Sequence, residues 1–267
     1  MWYNVNIKKT NRKGNNKMKK IISLILCLAL SCTLAIALTS CGGYDGKITV
    51  ATSPDFPPFE NLENGEVVGI EVDIMKAICE ELNYELVFEQ IAFDSVIPGV
   101  QTGKYDCGMS GITVTPERED QVLFSEVYYI AAQAIVVKAG SGINSKADLE
   151  GKTIAVQSGT TAEDFCLGEK YDVESYEANA DAKLALTTDK VDAWVIDDLI
   201  AKNMVAEGDG LIILEEKMTE EPYAFAFNFE DEELVEKVDE VLVKLIENGT
   251  VKSIFEKHGE SYEAPNK

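Results

Sequence analysis

From residue 48 onward, apolar positions alternate between two spacings, and the alternation predicts a series of strands and helices. Ile48-Thr49-Val50-Ala51 reads as a strand. Val72, Met75, Ile78, Cys79 and Leu82 recur three or four residues apart and line one helix face, and Glu85 to Phe88 predicts a second strand. Asp94 or Ser95 is placed to cap a short helix running to Thr102, and Cys107 to Met109 supplies a third strand. This strand–helix rhythm implies a mostly parallel sheet covered by helices. It then restarts, with a brief helix at Lys146 to Leu149, strands at Thr153 to Val156, Val173 to Tyr176 and Ala193 to Ile196, and helices at Ala162 to Lys170 and Ala180 to Thr187. An α/β protein of two lobes follows. Two extended runs between them, Tyr129 to Val137 and Tyr223 to Phe229, are candidates for paired crossover strands. The last amphipathic helices, Glu232 to Asn248 and Val251 to His258, come after the second crossover and so return to the first lobe. The expected boundaries are 48–130 plus 224–260 for lobe one and 131–223 for lobe two.

Residues 1–40 differ in kind. Lys8, Lys9, Arg12, Lys13, Lys17, Lys19 and Lys20 precede an apolar run from Ile21 to Leu38, and no acid interrupts them. A basic start, an apolar middle and small residues before a cut site make an export signal. Met18-Lys19-Lys20 reads as the natural start, with 1–17 an upstream extension. An uncleaved membrane anchor is the alternative, since the run approaches the roughly 20 residues that span a bilayer. Both readings place the remainder outside the cytoplasm, after a short linker at 41–47.

Without that leader the chain carries 47 acids and a formal charge of about −30. Such a surface repels phosphate backbones, so nucleic acid is excluded as a partner. Six cysteines are present, and Cys79, Cys107 and Cys166 are the three that remain beyond residue 41. They are far apart and odd in number, so neither a disulfide framework nor a metal site is expected. Cys79 on a helix face and Cys107 in an apolar strand read as small core hydrophobes. No cofactor motif is present.

Chemistry concentrates at Ser110-Gly111-Ile112-Thr113-Val114-Thr115-Pro116-Glu117-Arg118. Thr115 reads as a helix N-cap and Pro116 as the first helical residue, where its missing N–H costs nothing. Arg118 then stands in the first turn, where the helix dipole disfavours a cation. A fixed cation beside free backbone N–H groups wants an anion, most simply a carboxylate gripped by the guanidinium fork. Gly159-Thr160-Thr161 precedes a helix carrying Glu163 and Asp164, a second N-terminus suited to a carboxylate.

Several segments, in order, carry a resemblance. They include Ala51-Thr52-Ser53-Pro54-Asp55-Phe56-Pro57-Pro58-Phe59, Gly69-Ile70-Glu71-Val72-Asp73, Phe93-Asp94-Ser95, Ser110 to Arg118, Ser158-Gly159-Thr160-Thr161, and Val191-Asp192-Ala193 with Asp197. The chain resembles the extracellular solute-binding proteins of amino-acid ABC transporters, the polar-amino-acid group with the two-lobed type II periplasmic-binding fold. Leu38-Thr39-Ser40-Cys41 is similar to the lipobox of bacterial lipoproteins, which implies a lipid anchor on Cys41. The resemblance implies that Arg118 grips a ligand α-carboxylate with the N–H groups of Thr113 and Thr161, from the Thr160-Thr161 helix start. It implies that Asp197 pairs with the α-ammonium beside the Gly111 carbonyl and the Thr113 hydroxyl. Phe56 and Phe93 would sandwich the side chain, and Gln157 and Ser53 would read its end. Ser53 stands where cation-binding members carry an acid, which counts against arginine and lysine unless Asp55 turns inward. The implied partners are a permease with its ATPase, and the implied state is a monomer.

Alternatives stand beside these roles. Asp197 or Asp198 is equally placed to cap the next helix, and Phe56 and Phe93 to act as core staples. An exported dehydratase on the same scaffold is the main competing function, and a lipoprotein that senses a solute without delivering it is the second. His258, the single histidine, lies outside every ligand motif, so that enzyme's acid or base would have to be a carboxylate.

Overall fold

Two five-stranded mixed sheets organise the chain. In the first, Tyr84–Gln90, Gly46–Thr52 and Cys107–Gly108 run parallel, followed by Ala226–Phe227 and Leu123–Phe124, with Ala226–Phe227 antiparallel to both of its neighbours. In the second, Asp172–Tyr176, Thr153–Gln157 and Ala193–Asp197 run parallel, and Gln133–Lys138 and Leu211–Ile213 complete it antiparallel. The computed structural model describes residues 44–265. The export signal and Cys41 lie outside the described residues.

Both sheets are built from the same unit, a strand feeding a helix that packs back on the sheet. In the Ile70–Leu82 helix, Ile70, Ile74, Met75, Ile78 and Cys79 are buried. Burying each of its large apolar side chains contributes about 1.5–3 kcal/mol. Asn83 ends that helix in the left-handed conformation. The terminal helices Glu232–Glu247 and Thr250–Lys257 lie on the same layer, where Lys244 meets Glu81 at 2.6 Å and Lys257 meets Asp73 at 2.7 Å. Cys79, Cys107 and Cys166 are free and buried.

Two expectations change in detail. Neither Asp94 nor Ser95 caps the short helix: the chain enters Val96–Gln101 through a 3-10 turn at Phe93–Ser95, and no side-chain cap forms. Ser95 already has helical dihedrals, whereas a capping side chain reaches the N–H groups from extended backbone. The second change is an unforeseen three-stranded meander of Asp55–Phe56, Glu60–Glu63 and Glu66–Val68, turned by Asn64 and Gly65 at φ 53° and 87°. Positive φ at both central residues is what a two-residue Asn-Gly hairpin requires.

The crossovers pair only where they leave one sheet for the other. Tyr129–Ala131 runs antiparallel to Glu221–Tyr223, with Tyr129 opposite Tyr223. Beyond that pair Gln133–Lys138 joins the second sheet and Ala226–Phe227 the first.

Candidate functional site

In an α/β sheet, binding groups gather just beyond the carboxyl ends of the parallel strands. Both sheets follow this rule toward a common cleft. Phe56 follows Gly46–Thr52, Phe93 follows Tyr84–Gln90, and the 110–113 loop follows Cys107–Gly108. From the other side, Gln157 ends Thr153–Gln157, Asp197 ends Ala193–Asp197, and Asn179 follows Asp172–Tyr176. Together they border one cavity lined by Phe56, Phe93, Ser110, Gly111, Thr113, Arg118, Gln157, Thr160, Thr161, Asn179 and Asp197, among others. Of the ten ligand residues expected, only Ser53 does not line it. Ser53 faces a second depression with Asp55, Gln90 and Glu177.

Arg118 is placed by its own cap. Thr115 accepts the Arg118 N–H at 3.3 Å through its hydroxyl, and Pro116 occupies the first helical position. The guanidinium is buried and donates through Nη1 to the Thr113 carbonyl at 2.9 Å and through Nη2 to the Gly159 carbonyl at 3.0 Å. Burial lowers its pKa, and Asp164, Glu221 and Asp197 raise it again. It therefore stays cationic and holds one group from each side of the cleft. The Phe93 ring lies 5.7 Å from the guanidinium carbon.

The 110–113 loop is strapped to the crossover. Thr113 sits opposite Tyr223, with Val114 N–H donating to Pro222 at 2.8 Å and Ala224 N–H to Ile112 at 3.1 Å. In such a pair the bonds flank the central residue, which leaves the Thr113 amide plane for the cleft. Opposite it, Thr160 caps the Thr161–Gly168 helix by accepting the Glu163 N–H at 3.2 Å, while Glu163 takes the Gly159 N–H at 2.7 Å. The Thr161 N–H, in the first turn, has no partner within the helix. The Thr161 hydroxyl donates to Glu221 at 2.9 Å.

Asp197 does not cap the helix that follows it. No side-chain cap forms, and the Leu199 N–H is taken instead by Asp198 at 2.8 Å. Asp197 accepts the Tyr223 hydroxyl. Burial first, and the negative Glu221 second, push its carboxyl up to about 7, against the Tyr223 hydrogen bond and Arg118. Phe56 both lines the cavity and packs near Phe59 and Tyr223, at 6.3 Å from each ring.

Sequence reasoning missed Asn179, Glu221 and Tyr223, and left Asp55 open. Asn179 was readable as the residue after a strand of the restarted pattern. Glu221 lies in an acid-rich stretch that looks solvated, yet it is buried. The Asp55 carboxylate reaches Asn179 on the other side but borders the second depression rather than the cavity. It accepts the Ser53 hydroxyl at 3.2 Å and the Asn179 N–H at 2.7 Å, and Gln157 hydrogen-bonds it as well. Asn179 in turn donates to Gln157 at 2.8 Å.

Comparison with known proteins finds a matching family model, curated relatives and solved structures of the same fold. Residues 48–261 match the family model described as bacterial extracellular solute-binding proteins, family 3. The arginine-binding extracellular protein ArtP of Bacillus subtilis is 34% identical over 246 residues, covering 87% of this chain and 96% of that protein. A crystal structure of a mutant ArgBP from T. maritima has a TM-score of 0.77 at 38% identity, covering 80% of this chain and 95% of the other. The arginine-, lysine-, histidine-binding protein ArtJ from Geobacillus stearothermophilus has a TM-score of 0.76 at 33% identity, covering 81% of this chain and 97% of the other.

Proposed function

This chain belongs to the bacterial extracellular solute-binding proteins of family 3, and we propose that its cleft closes on one polar L-amino acid, first of all a basic one, for import through an ABC permease. One observation carries the reading. Arg118 and Asp197, of opposite charge and from opposite sides, are both buried on a single cavity. A zwitterion satisfies both at once, and pairing its charges offsets the cost of removing them from water. Arg118 with the Thr113 and Thr161 N–H groups takes the carboxylate. Asp197, the Gly111 carbonyl and the Thr113 hydroxyl take the ammonium, and Phe56 and Phe93 flank the side chain.

The far end favours a base. Ser53 carries no acid, but its hydroxyl holds Asp55, whose carboxylate reaches Gln157 and Asn179. Acids outnumber Arg118 around the cleft, so a second positive charge on the ligand is welcome there. ArtP, ArgBP and ArtJ carry arginine in their names, which supports arginine as the first probe. The proposal extends to a lipid anchor on Cys41, an extracytoplasmic location, a monomer, and lobes spanning 48–130 plus 224–260 and 131–223.

A thermal-shift screen across the amino acids tests this directly. A ligand at a hundred times its Kd raises the melting point by about 5–10 °C in a chain of this size. L-Arginine is expected to give the largest shift. A screen in which no amino acid moves the midpoint sinks the reading.

Acidity supplies a second test. An unfolded aspartate titrates near 4, so native Asp197 holds its proton between about pH 4 and 7. Its stabilising contribution is complete below about 4 and is lost as pH rises through 7. Ammonium binding needs the ionised form, so affinity runs the other way and weakens by up to about tenfold per unit below pH 7. Calorimetric titration with L-arginine at acid and alkaline pH checks the slope. An affinity that stays level below neutrality removes Asp197 as the ammonium's partner.

One observation keeps an enzyme as the second reading. A carboxyl titrating near neutrality inside a cleft has the property a general acid–base group needs. Chromatography of the bound amino acid decides: recovery of unchanged ligand supports a receptor, and a product supports a dehydratase-like enzyme.

A further inference from the structure

Behind the 110–113 loop lie two carboxyl groups that the reading above does not use. Glu60 opens the Glu60–Glu63 strand and Glu71 stands in the first turn of the Ile70–Leu82 helix, and both are fully buried. Among the described residues neither forms an ion pair with a base. The charged or titratable groups facing them are Asp55, Tyr128 and Cys107, none of them basic. Two adjacent buried carboxylates without a cation cannot both ionise at modest cost.

Their hydrogen bonds are unequal. Glu71 Oε1 accepts the Gly111 N–H at 3.0 Å and the Tyr128 hydroxyl as well. Glu60 Oε1 accepts only the Ser110 hydroxyl, at 3.0 Å. The remaining oxygens, Glu60 Oε2 and Glu71 Oε2, are buried without any conventional donor. Their anchors, Ser110 and Gly111, are neighbours in the chain, which brings the two carboxyls side by side. One proton between them satisfies both orphaned oxygens. It belongs on Glu60, because two donors on Glu71 favour the ionised form there against one on Glu60.

We infer that a neutral Glu60 donates its proton to an ionised Glu71, and that this carboxyl pair positions Gly111 for the ligand. Gly111 has φ 54°, and a Cβ there would lie 2.4 Å from the Phe56 ring, so glycine is required. A glycine has no side chain to fix its peptide planes. The bond from its N–H to Glu71 supplies that restraint, and Ser110, which also accepts the Ser53 N–H at 3.1 Å, anchors the neighbouring plane. Glu60 and Glu71 are positioning residues, and this role rests on the proposal that Gly111 faces the ammonium.

Infrared spectroscopy and L-arginine titration of the full chain in detergent test the pair. At about pH 8.5, where Asp197 is ionised, the wild type is expected to show the carbonyl band of a protonated, unhydrated carboxylic acid, and Glu60→Gln to lose it. Absence of the band, or its survival in Glu60→Gln, overturns the assignment. For arginine, Glu60→Ala is expected to weaken Kd by about tenfold or more, since it strands Glu71 and Ser110. Glu60→Gln, whose amide donates to Glu71 and whose carbonyl accepts from Ser110, restores most of that loss. Glu71→Gln keeps its carbonyl for Gly111 and Tyr128, which share Oε1, and turns its amide to Glu60, so it too is expected to bind arginine with most of the wild-type affinity. Equal losses in Glu60→Ala and Glu60→Gln overturn the positioning role. If Glu71→Gln does not fold, the Ala–Gln comparison at Glu60 decides alone. If wild type ignores arginine, the specificity reading fails while the infrared band still decides the pair.

Discussion

Arg118→Ala abolishes tight amino-acid binding while leaving the chain folded. Among the described residues the guanidinium is the one base lining the cavity, and it also bridges Thr113 and Gly159 across the cleft. Removing it strands the ligand carboxylate in a dry site, a loss of about 3–5 kcal/mol, more than a hundredfold in Kd. Arg118→Lys keeps the charge but not the fork, so it falls between the two. Calorimetric titration with L-arginine, with circular dichroism as the folding control, reads both variants. A Kd within about threefold of wild type in the alanine variant would place the carboxylate elsewhere.

Gly159→Ala weakens binding without touching the ligand. Gly159 has φ 76°, and a Cβ there would lie 2.9 Å from Asp94 Cβ and 3.0 Å from Asp94 Cα on the opposite side of the cleft. The positive φ costs the variant about 1–2 kcal/mol whether the lobes are together or apart. The clash is paid only in the closed arrangement, adding about 1–3 kcal/mol, so Kd rises by about tenfold to a hundredfold. Gly151→Ala separates the two effects, because Gly151 has φ 72° with nothing within 4 Å. It is expected to lower the melting point similarly and leave Kd alone. Similar affinity losses in both variants would mean that strain, not closure, is responsible.

The strand–helix rhythm was legible because each element buries one face at its own period. The 70–82 helix and the 46–52 and 153–157 strands show this plainly. The 115–118 stretch was legible for a different reason: cap, proline and arginine each constrain the same turn. Other features depend on contacts made at long range. Asn64-Gly65 is a strong hairpin signal, but the strands it joins are too short and polar to stand out by alternation. Asp55 and Asn179 are 124 residues apart, and only the meeting of the two sheets shows that one side chain caps the other's helix. Nothing in the local sequence marks Glu60 and Glu71 as buried, and their burial follows from Tyr128, Ser110 and Gly111 closing over them.

The short Glu221–Tyr223 strand, with Ala224 just beyond it, does more than connect. Glu221 holds Thr161, Pro222 and Ala224 hold the segment around Thr113, and Tyr223 holds Asp197. Any twist that swings the halves apart must therefore slacken the grips at both ends of the cargo together. Unloading is then a single step rather than a peeling from one end.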